Sequence, residues 1–234
     1  MFGWKEKKNT GPARNVELSG AMDGLLITGQ AGFVAGTHVA SNLGWRAVEA
    51  LSVGDKVLTF DHGMQTIVDI QRETLFAPEN TLPPAQCPIL VPKGAMNNRK
   101  EMRLMPDQGM LVESDAAIDA LGDPFAVVPA RVLKGLKKIR TAPSVDQLDI
   151  TTLAFANDEV VYIEGGMLAH CPRPRCILTE TATIEGSLYD VLDTRRARFL
   201  VDCLIEENDA SPLLCDPEEL LGVVAKKGAS GVNG

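Results

Sequence analysis

The sequence is poor in histidine, in aromatic residues and in long apolar runs. It has three histidines among 234 residues, and aromatic residues make up 5% of the chain. The polar segment 1–8 is not followed by the apolar core of a signal peptide, and no later apolar run is long enough to cross a bilayer. We therefore expect no membrane association and a cytoplasmic location, with export by a signal-less route left open.

Positive charge is also scarce. The formal net charge is −8, and the basic residues form no block beyond Lys5-Glu6-Lys7-Lys8. Because charge-driven binding of nucleic acid needs a larger basic patch, we do not expect a nucleic-acid partner. Hydrophobic residues reach 45% and charged residues 23%, as in ordinary soluble domains, which predicts a packed core.

The cysteines do not form the pattern of a disulfide scaffold. There are five of them, an odd number, which suits a reducing compartment. His170, Cys171 and Cys176 place three possible zinc ligands close together, but a structural zinc site has four, so Cys203 or Cys215 would have to complete it. A local disulfide is the other alternative. We expect neither, and interpret these thiols as small apolar groups in a proline-constrained turn, with no metal and no other cofactor.

Short apolar runs, separated by glycine and proline, dominate the first two thirds of the chain. The clearest pair, 56–60 and 65–71, flanks Asp61-His62-Gly63, whose residue types favour a tight turn. Two strand-like runs around such a turn predict a β-hairpin. Runs this short, with breakers this frequent, indicate an all-β fold rather than alternating strands and helices.

One segment near the C-terminus has the periodicity of an amphipathic helix. Over 194–207 the apolar residues recur at the spacing of one helix face: Ala197, Leu200, Val201, Leu204 and Ile205. Asp193 or Thr194 can accept hydrogen bonds from the free N–H groups at its start. Glu206 and Glu207 at its end oppose the helix dipole, so packing must hold this helix in place.

Three groups of motifs follow one another along the chain. The first group reads Gly32-Phe33, Gly36-Thr37, Gly44, Val48-Glu49-Ala50-Leu51, Gly54-Asp55-Lys56-Val57-Leu58-Thr59 and Asp61-His62-Gly63. The second reads Met105-Pro106-Asp107-Gln108, Met110-Leu111-Val112 and Val128-Pro129-Ala130-Arg131, and the third reads Asp158-Glu159-Val160 and Glu164-Gly165. This series resembles the Hint (Hedgehog/intein) autoprocessing family in its bacterial form. The resemblance implies a horseshoe-like disk of bent β-strands.

The resemblance also implies a reaction, and here the sequence departs from the family. In Hint autoprocessing and protein splicing, a thiol attacks the preceding carbonyl to form a thioester, and a histidine gives a proton to the departing amide nitrogen. The corresponding positions are Gly32 for the nucleophile, and Gln108 and Asp158 for two histidines. Glycine has no side chain and glutamine does not titrate near neutral pH. Asp158 could act as a base or simply cap a turn.

Three changed positions in one chain predict a pseudoenzyme that has lost self-cleavage and serves as a binding or structural module. The alternative is an active, self-cleaving domain that acts at Ala31–Gly32 with unorthodox residues. Thr37 and Asp61 match family positions near the site, but both have structural uses in a strand and in a hairpin turn.

We expect the chain to have four parts. Residues 1–30 form a polar leader that we expect to be loosely ordered, and 31–166 form the Hint domain. Residues 167–222 are a C-terminal extension that contains the helix of about 194–207, and 223–234 form a flexible tail rich in small residues. If the protein has a protein partner, we expect the leader or the C-terminal helix to contact it.

Overall fold

The computed structural model describes residues 13–19, 31–77, 82–115, 117–118, 122–173, 189 and 191–216. These residues form fifteen β-strands and an α-helix, α1 (Thr194–Glu207). The strands are β1 (Ala13–Ser19), β2 (Phe33–Val34), β3 (His38–Ser41), β4 (Gly44–Ala47), β5 (Lys56–Thr59), β6 (Gly63–Thr66), β7 (Asp69–Phe76), β8 (Ile89–Val91), β9 (Met102–Leu104), β10 (Gly109–Glu113), β11 (Phe125–Pro129), β12 (Arg140–Thr141), β13 (Gln147–Ala154), β14 (Glu159–Ile163) and β15 (Met167–Cys171). The all-β prediction with one late helix is confirmed.

Two sheets with antiparallel pairing carry the fold. The first has the order β1-β7-β13-β2-β9-β8-β12, and its longest ladder joins β7 to β13 along their full length. The second has the order β11-β10-β15-β14-β3-β5-β6, with β4 paired to β3. Strands from distant parts of the chain are neighbours in both sheets, so residues far apart in sequence meet where the sheets come together.

The predicted hairpin is present as β5 and β6, but its return strand runs from Gly63 to Thr66, and residues 69–71 of the predicted run belong to β7 in the other sheet. Lys56 pairs with Thr66 and Thr59 pairs with Gly63, so the turn comprises residues 60–62 and Gly63 begins the return strand. Gly63 has φ of +64°, a conformation that glycine adopts without the strain a Cβ would add. Turn chemistry therefore fixes the register here, as the sequence indicates.

The main hydrophobic core lies between the sheets. One continuous cluster of buried side chains includes Ile70 from β7 of the first sheet and Val161 from β14 of the second. All five residues of β14, in the second sheet, are buried. Such strands read as continuous apolar runs, because both of their faces are covered.

Helix α1 begins and ends where the sequence predicts. The Asp193 side chain accepts hydrogen bonds from the backbone N–H groups of Arg195 and Arg196, and Asn208 closes the helix in the left-handed conformation. The buried face comprises Ala197, Leu200, Val201 and Leu204. It packs on β11 and on the 3-10 helix Ala130–Leu133, so the helix is a docked part of the core.

Two parts of the predicted domain organisation differ from the structure or lie outside it. Strand β1 falls within the leader that we expected to be loosely ordered; it pairs with β7 over all seven residues, because that edge of the first sheet offers free backbone groups. Strand β15 follows residue 166 and pairs with β14 and β10. Residues 1–12 and 20–30 of the leader, and the predicted tail 223–234, lie outside the described residues.

Candidate functional site

The position of the expected nucleophile is shaped for glycine. Gly32 precedes β2 and has φ of +116°, a backbone conformation that side chains rarely tolerate. A Cβ atom there would lie 2.7 Å from Cγ2 of Ile150 and 3.0 Å from Oγ1 of Thr152, both on β13. Any side chain at this position would therefore add backbone strain and would also force the Ile150 side chain to move.

Gln108 lies against Gly32 and joins the two sheets. Its Oε1 accepts a hydrogen bond of 3.0 Å from the Gly32 backbone N–H. Its Nε2 donates to the backbone oxygen of His170 at 2.8 Å and to that of Gly109 at 3.1 Å. The side chain is 2% exposed, so these bonds are shielded from water. Gln108 is thus a buried structural link between the start of β2 and the end of β15.

The orientation of the Gln108 amide determines what it can do chemically. Backbone N–H groups only donate and backbone oxygens only accept, so Oε1 must face Gly32 and Nε2 must face the two carbonyl groups. In the family reaction the nitrogen of the residue at position 32 leaves and needs a proton. Gln108 offers that nitrogen an acceptor, which is the opposite polarity, and the amide cannot transfer a proton near neutral pH.

Asp158 binds the chain just after β15, close to the residue that Gln108 binds. It is 3% exposed, and its Oδ1 accepts a hydrogen bond of 2.7 Å from the Arg173 backbone N–H. Its Oδ2 is buried and has no hydrogen-bond partner among the residues that the structure describes. Gln108 and Asp158 therefore both fix the end of β15, but within the described residues no hydrogen bond connects Asp158 to Gly32.

Thr37 has a structural contact, and Asp61 lies in a turn away from Gly32. The Thr37 hydroxyl donates to the Val34 backbone oxygen at 2.7 Å and so tightens the connection between β2 and β3. Asp61 lies in the β5–β6 turn, where loss of hydration raises the pKa of its carboxyl group above its ordinary value, and the neighbouring His62 partly offsets this. Neither side chain is hydrogen-bonded to Gly32 or Gln108 within the described part of the chain.

The structure also shows a contact between a histidine and a buried acid that no sequence motif predicts. Glu159 is 2% exposed, and its carboxylate lies 3.1 Å from Nδ1 of His62 in the hairpin turn. The two residues are 97 positions apart. Only the pairing of β14 beside β5 brings them together. The sequence signal is an acidic residue at the start of an apolar strand, and this signal does not identify His62 as its partner.

His170 and Cys171 do not form a metal centre with other described residues. The His170 ring packs edge-on against the Tyr189 ring, with centroids 5.8 Å apart. Burial raises the pKa of the Cys171 thiol, and Glu159 raises it further, which disfavours the thiolate that a metal requires. Over the described ranges, no three histidine, cysteine or acidic side chains are arranged to hold a metal ion. Cys176, the third predicted ligand, lies outside these ranges.

An open cavity of about 900 Å³ lies elsewhere, on the second sheet. Its lining includes His38, Phe60, Arg99, Glu164, Leu168 and Cys215. These residues come from separated segments, so no local motif could have predicted the cavity. Neither Gly32 nor Gln108 nor Asp158 contributes to its lining, so this open space does not serve the expected cleavage position.

No helix in the described residues has both the length and the apolar character needed to span a membrane.

Comparison with solved structures finds intein-related domains. The chain is similar to the solution structure of a bacterial intein-like domain from Clostridium thermocellum, with 12% identity, a TM-score of 0.43, and coverage of 60% of this chain and 98% of that one. It is similar to the crystal structure of the gp41-1 intein, with 13% identity, a TM-score of 0.38, and coverage of 60% and 98%. No curated protein matches the chain in sequence.

Comparison with protein families gives one result over the central part of the chain. The sequence model of the Hint domain matches residues 31–168. This range contains all three motif groups and the positions of Gly32, Gln108 and Asp158. It covers more than half of the 234 residues. The protein therefore belongs to the Hint domain family.

Proposed function

We propose that this Hint domain does not cleave itself and acts instead as an interaction module. The observation that carries the proposal is the closed environment of Gly32, where a Cβ would lie 2.7 Å from Cγ2 of Ile150. The position has no nucleophile, and side chains of β13 occupy the space that a nucleophile would need.

The chemistry of an acyl shift supports this proposal. The reaction requires a thiol or hydroxyl next to the carbonyl under attack, which here belongs to Ala31. Thr37 is the nearest described hydroxyl in the sequence that follows, and its Oγ1 is bonded to the Val34 oxygen. The group that contacts the leaving nitrogen is Oε1 of Gln108, which is an acceptor. The reaction therefore lacks both its nucleophile and its proton donor.

One observation favours the alternative, a domain that still cleaves at Ala31–Gly32. Oδ2 of Asp158 is buried without a hydrogen-bond partner among the described residues. An unsatisfied buried carboxylate is costly, and such groups are found at functional sites as general bases. Asp158 could activate water in this role. The proposal instead assigns it to holding Arg173 at the end of β15.

The intact mass of the purified full chain tests the two functions. The protein is incubated for several days near neutral pH, alone, with a thiol, and with hydroxylamine to intercept any thioester. We expect one species at the mass of the whole chain, 25.1 kDa, under all three conditions. A pair of fragments that meet between Ala31 and Gly32 would overturn the proposal.

A matched variant identifies the cause of any cleavage. Asp158→Asn keeps the size of the side chain and its acceptor oxygen for Arg173, but removes the base. Fragments from the wild-type chain that disappear in this variant would establish the alternative. Because the expected wild-type result is an intact chain, the variant is expected to be intact as well.

A further inference from the structure

The outer face of α1 carries an exposed apolar centre. Phe199 is 76% exposed, which is unusual for a phenylalanine, and Cys203 is an exposed free thiol. The two residues are four positions apart and therefore lie next to each other on one side of the helix. The opposite side of α1 is buried in the core, so the apolar centre points away from the domain.

The charges on this outer face are arranged against the helix dipole. Arg195 and Arg196 lie in the first turn, and Glu206 and Glu207 lie in the last turn. The N-terminus of a helix favours negative charge, which Asp193 supplies at the N-cap, and the C-terminus favours positive charge, so the two arginines and the two glutamates each have the unfavourable sign for their end. Among the described residues Arg195, Glu206 and Glu207 form no ion pair, and Arg196 approaches Asp193 only at 3.7 Å between two exposed side chains.

The other charges of the helix are engaged within the chain. Arg198 bonds Asp202 at 2.7 Å and donates to the backbone oxygen of Val132 at 3.0 Å. Intramolecular contacts thus account for the middle of the helix and leave its two charged ends unexplained.

The pattern on this face is symmetric. The pairs Arg195 with Glu207, Arg196 with Glu206, and Phe199 with Cys203 all have Val201 as their midpoint in the sequence. When a second α1 is laid antiparallel across the first, a twofold axis near Val201 makes each of these residues face its pair mate. Phe199 then packs against Cys203 of the other copy, and each arginine pair meets a glutamate pair.

We propose that the outer face of α1 is a self-association surface through which two copies of this chain pair antiparallel. The inference deepens the proposed function, on which it rests, because it names a second copy as the partner of the interaction module. In the paired arrangement each charge that opposes its own helix dipole lies beside a charge of opposite sign. An apolar centre with a charged rim is the usual composition of an interface between proteins.

The size of the surface sets the expected strength. A single pair of helices buries less than the ~1,200–2,000 Å² that is typical of a stable complex. We therefore expect a reversible dimer with a dissociation constant on the order of 100 µM. Because the rim pairs are exposed, added salt should weaken the dimer.

Sedimentation equilibrium of the full chain at low salt, from about 10 to 500 µM, tests the proposal around that expected constant. Arg195→Glu with Arg196→Glu makes both charged ends negative, and Glu206→Arg with Glu207→Arg makes both positive. Each double variant alone should associate at least ~10-fold more weakly than the wild type, because like charges then face each other. An equimolar mixture of the two should dimerise, and so should the single chain that carries all four substitutions.

The fourfold variant distinguishes the geometry. Its exchanged ends attract in an antiparallel pair and repel in a parallel pair, so dimerisation supports the axis near Val201. Phe199→Ala should weaken association at least ~10-fold. Its control is Leu43→Ala, which truncates a side chain of similar exposure, 72%, in the β3–β4 turn and should change nothing.

Three results would overturn the proposal: a wild-type chain that is monomeric throughout, a dimer indifferent to the charge exchanges, or a fourfold variant that folds and stays monomeric. Circular dichroism on each variant establishes that it is folded. The intact mass of the same samples reports cleavage separately. A cleaved chain that still dimerises defeats the proposed function alone, and an intact monomer defeats this inference alone.

Discussion

The surroundings of Gly32 and the outer face of α1 differ in how many contacts their residues make within the chain. Around Gly32 the strands leave no room for a Cβ, and the Gly32 N–H is bonded to a glutamine that is 2% exposed. On α1 a phenylalanine is 76% exposed, and the charges oppose the helix dipole. The position at which we predict the family's nucleophile is thus crowded and internally hydrogen-bonded. Within the described part of the chain, the exposed phenylalanine and the charges at the ends of the helix have no such buried contacts, and they carry the proposed interaction.

The inner and outer faces of α1 should differ most in their effect on stability. Leu204 is 7% exposed, so Leu204→Ala should lower the free energy of unfolding by about 2–5 kcal/mol through lost burial and a residual cavity. Phe199→Ala on the opposite face should lower it by less than about 0.5 kcal/mol in dilute protein. Urea unfolding of both variants measures the difference. Equal losses would contradict the division into a packed and a free face.

The closure of the Gly32 position can be measured against another glycine. Gly32→Ala should cost about 2–4 kcal/mol, since it combines left-handed backbone strain with a contact that forces Ile150 to move. Gly36→Ala is the control, because its φ is +88° and nothing lies within 4 Å of the added Cβ. There the strain alone should cost about 1 kcal/mol. If chemical denaturation gave the two variants the same loss, the crowding at Gly32 would be unimportant.

The link made by Gln108 should be the next largest effect. Gln108→Leu keeps the volume but leaves the Gly32 N–H and the His170 oxygen buried without this partner. The expected loss of stability is about 1–3 kcal/mol. Gln147→Leu, on an exposed position of β13, should be nearly neutral. A neutral result for Gln108→Leu would mean that the two sheets do not depend on this bridge.

The smallest effect concerns Asp61. Its pKa in the folded protein is raised above the ordinary value of 3.8, chiefly by loss of hydration, so the folded state binds this proton more tightly than the unfolded chain. Above pH 3.8, where the unfolded chain loses this proton first, the Asp61 carboxyl group therefore destabilises the fold. Asp61→Asn should raise stability near neutral pH by less than about 0.5 kcal/mol, because the site is close to solvent. The gain should vanish below pH 3.8. A loss of stability at neutral pH would contradict the assignment.

The parts of this structure that local chemistry determines were predictable from the sequence. The β5–β6 turn and the helix from Thr194 to Glu207 both depend on residue types and spacings within one short segment. The family resemblance predicted roles for Gly32, Gln108 and Asp158; the Hint match over 31–168 contains all three residues, and their roles stay predictions.

The contacts that give these positions their present roles were not predictable. Gln108 bonds Gly32 across 76 positions and His170 across 62, and only the meeting of two sheets brings them together. Strand β1 was missed because its seven residues, ARNVELS, have a weak alternation, and it is the free edge of β7 that recruits them. In both cases tertiary pairing overrides what the local sequence indicates.

Restoring the nucleophile alone tests most directly whether the position is closed by its surroundings. Gly32→Cys supplies the missing thiol, and its intact mass can be followed for several days at low temperature with added thiol. The account predicts an intact chain, because a Cβ at this position collides with Ile150 and Gln108 offers the leaving nitrogen an acceptor. Thiol-dependent splitting of the folded variant between Ala31 and position 32 would contradict it, and would show that only the side chain had been lost.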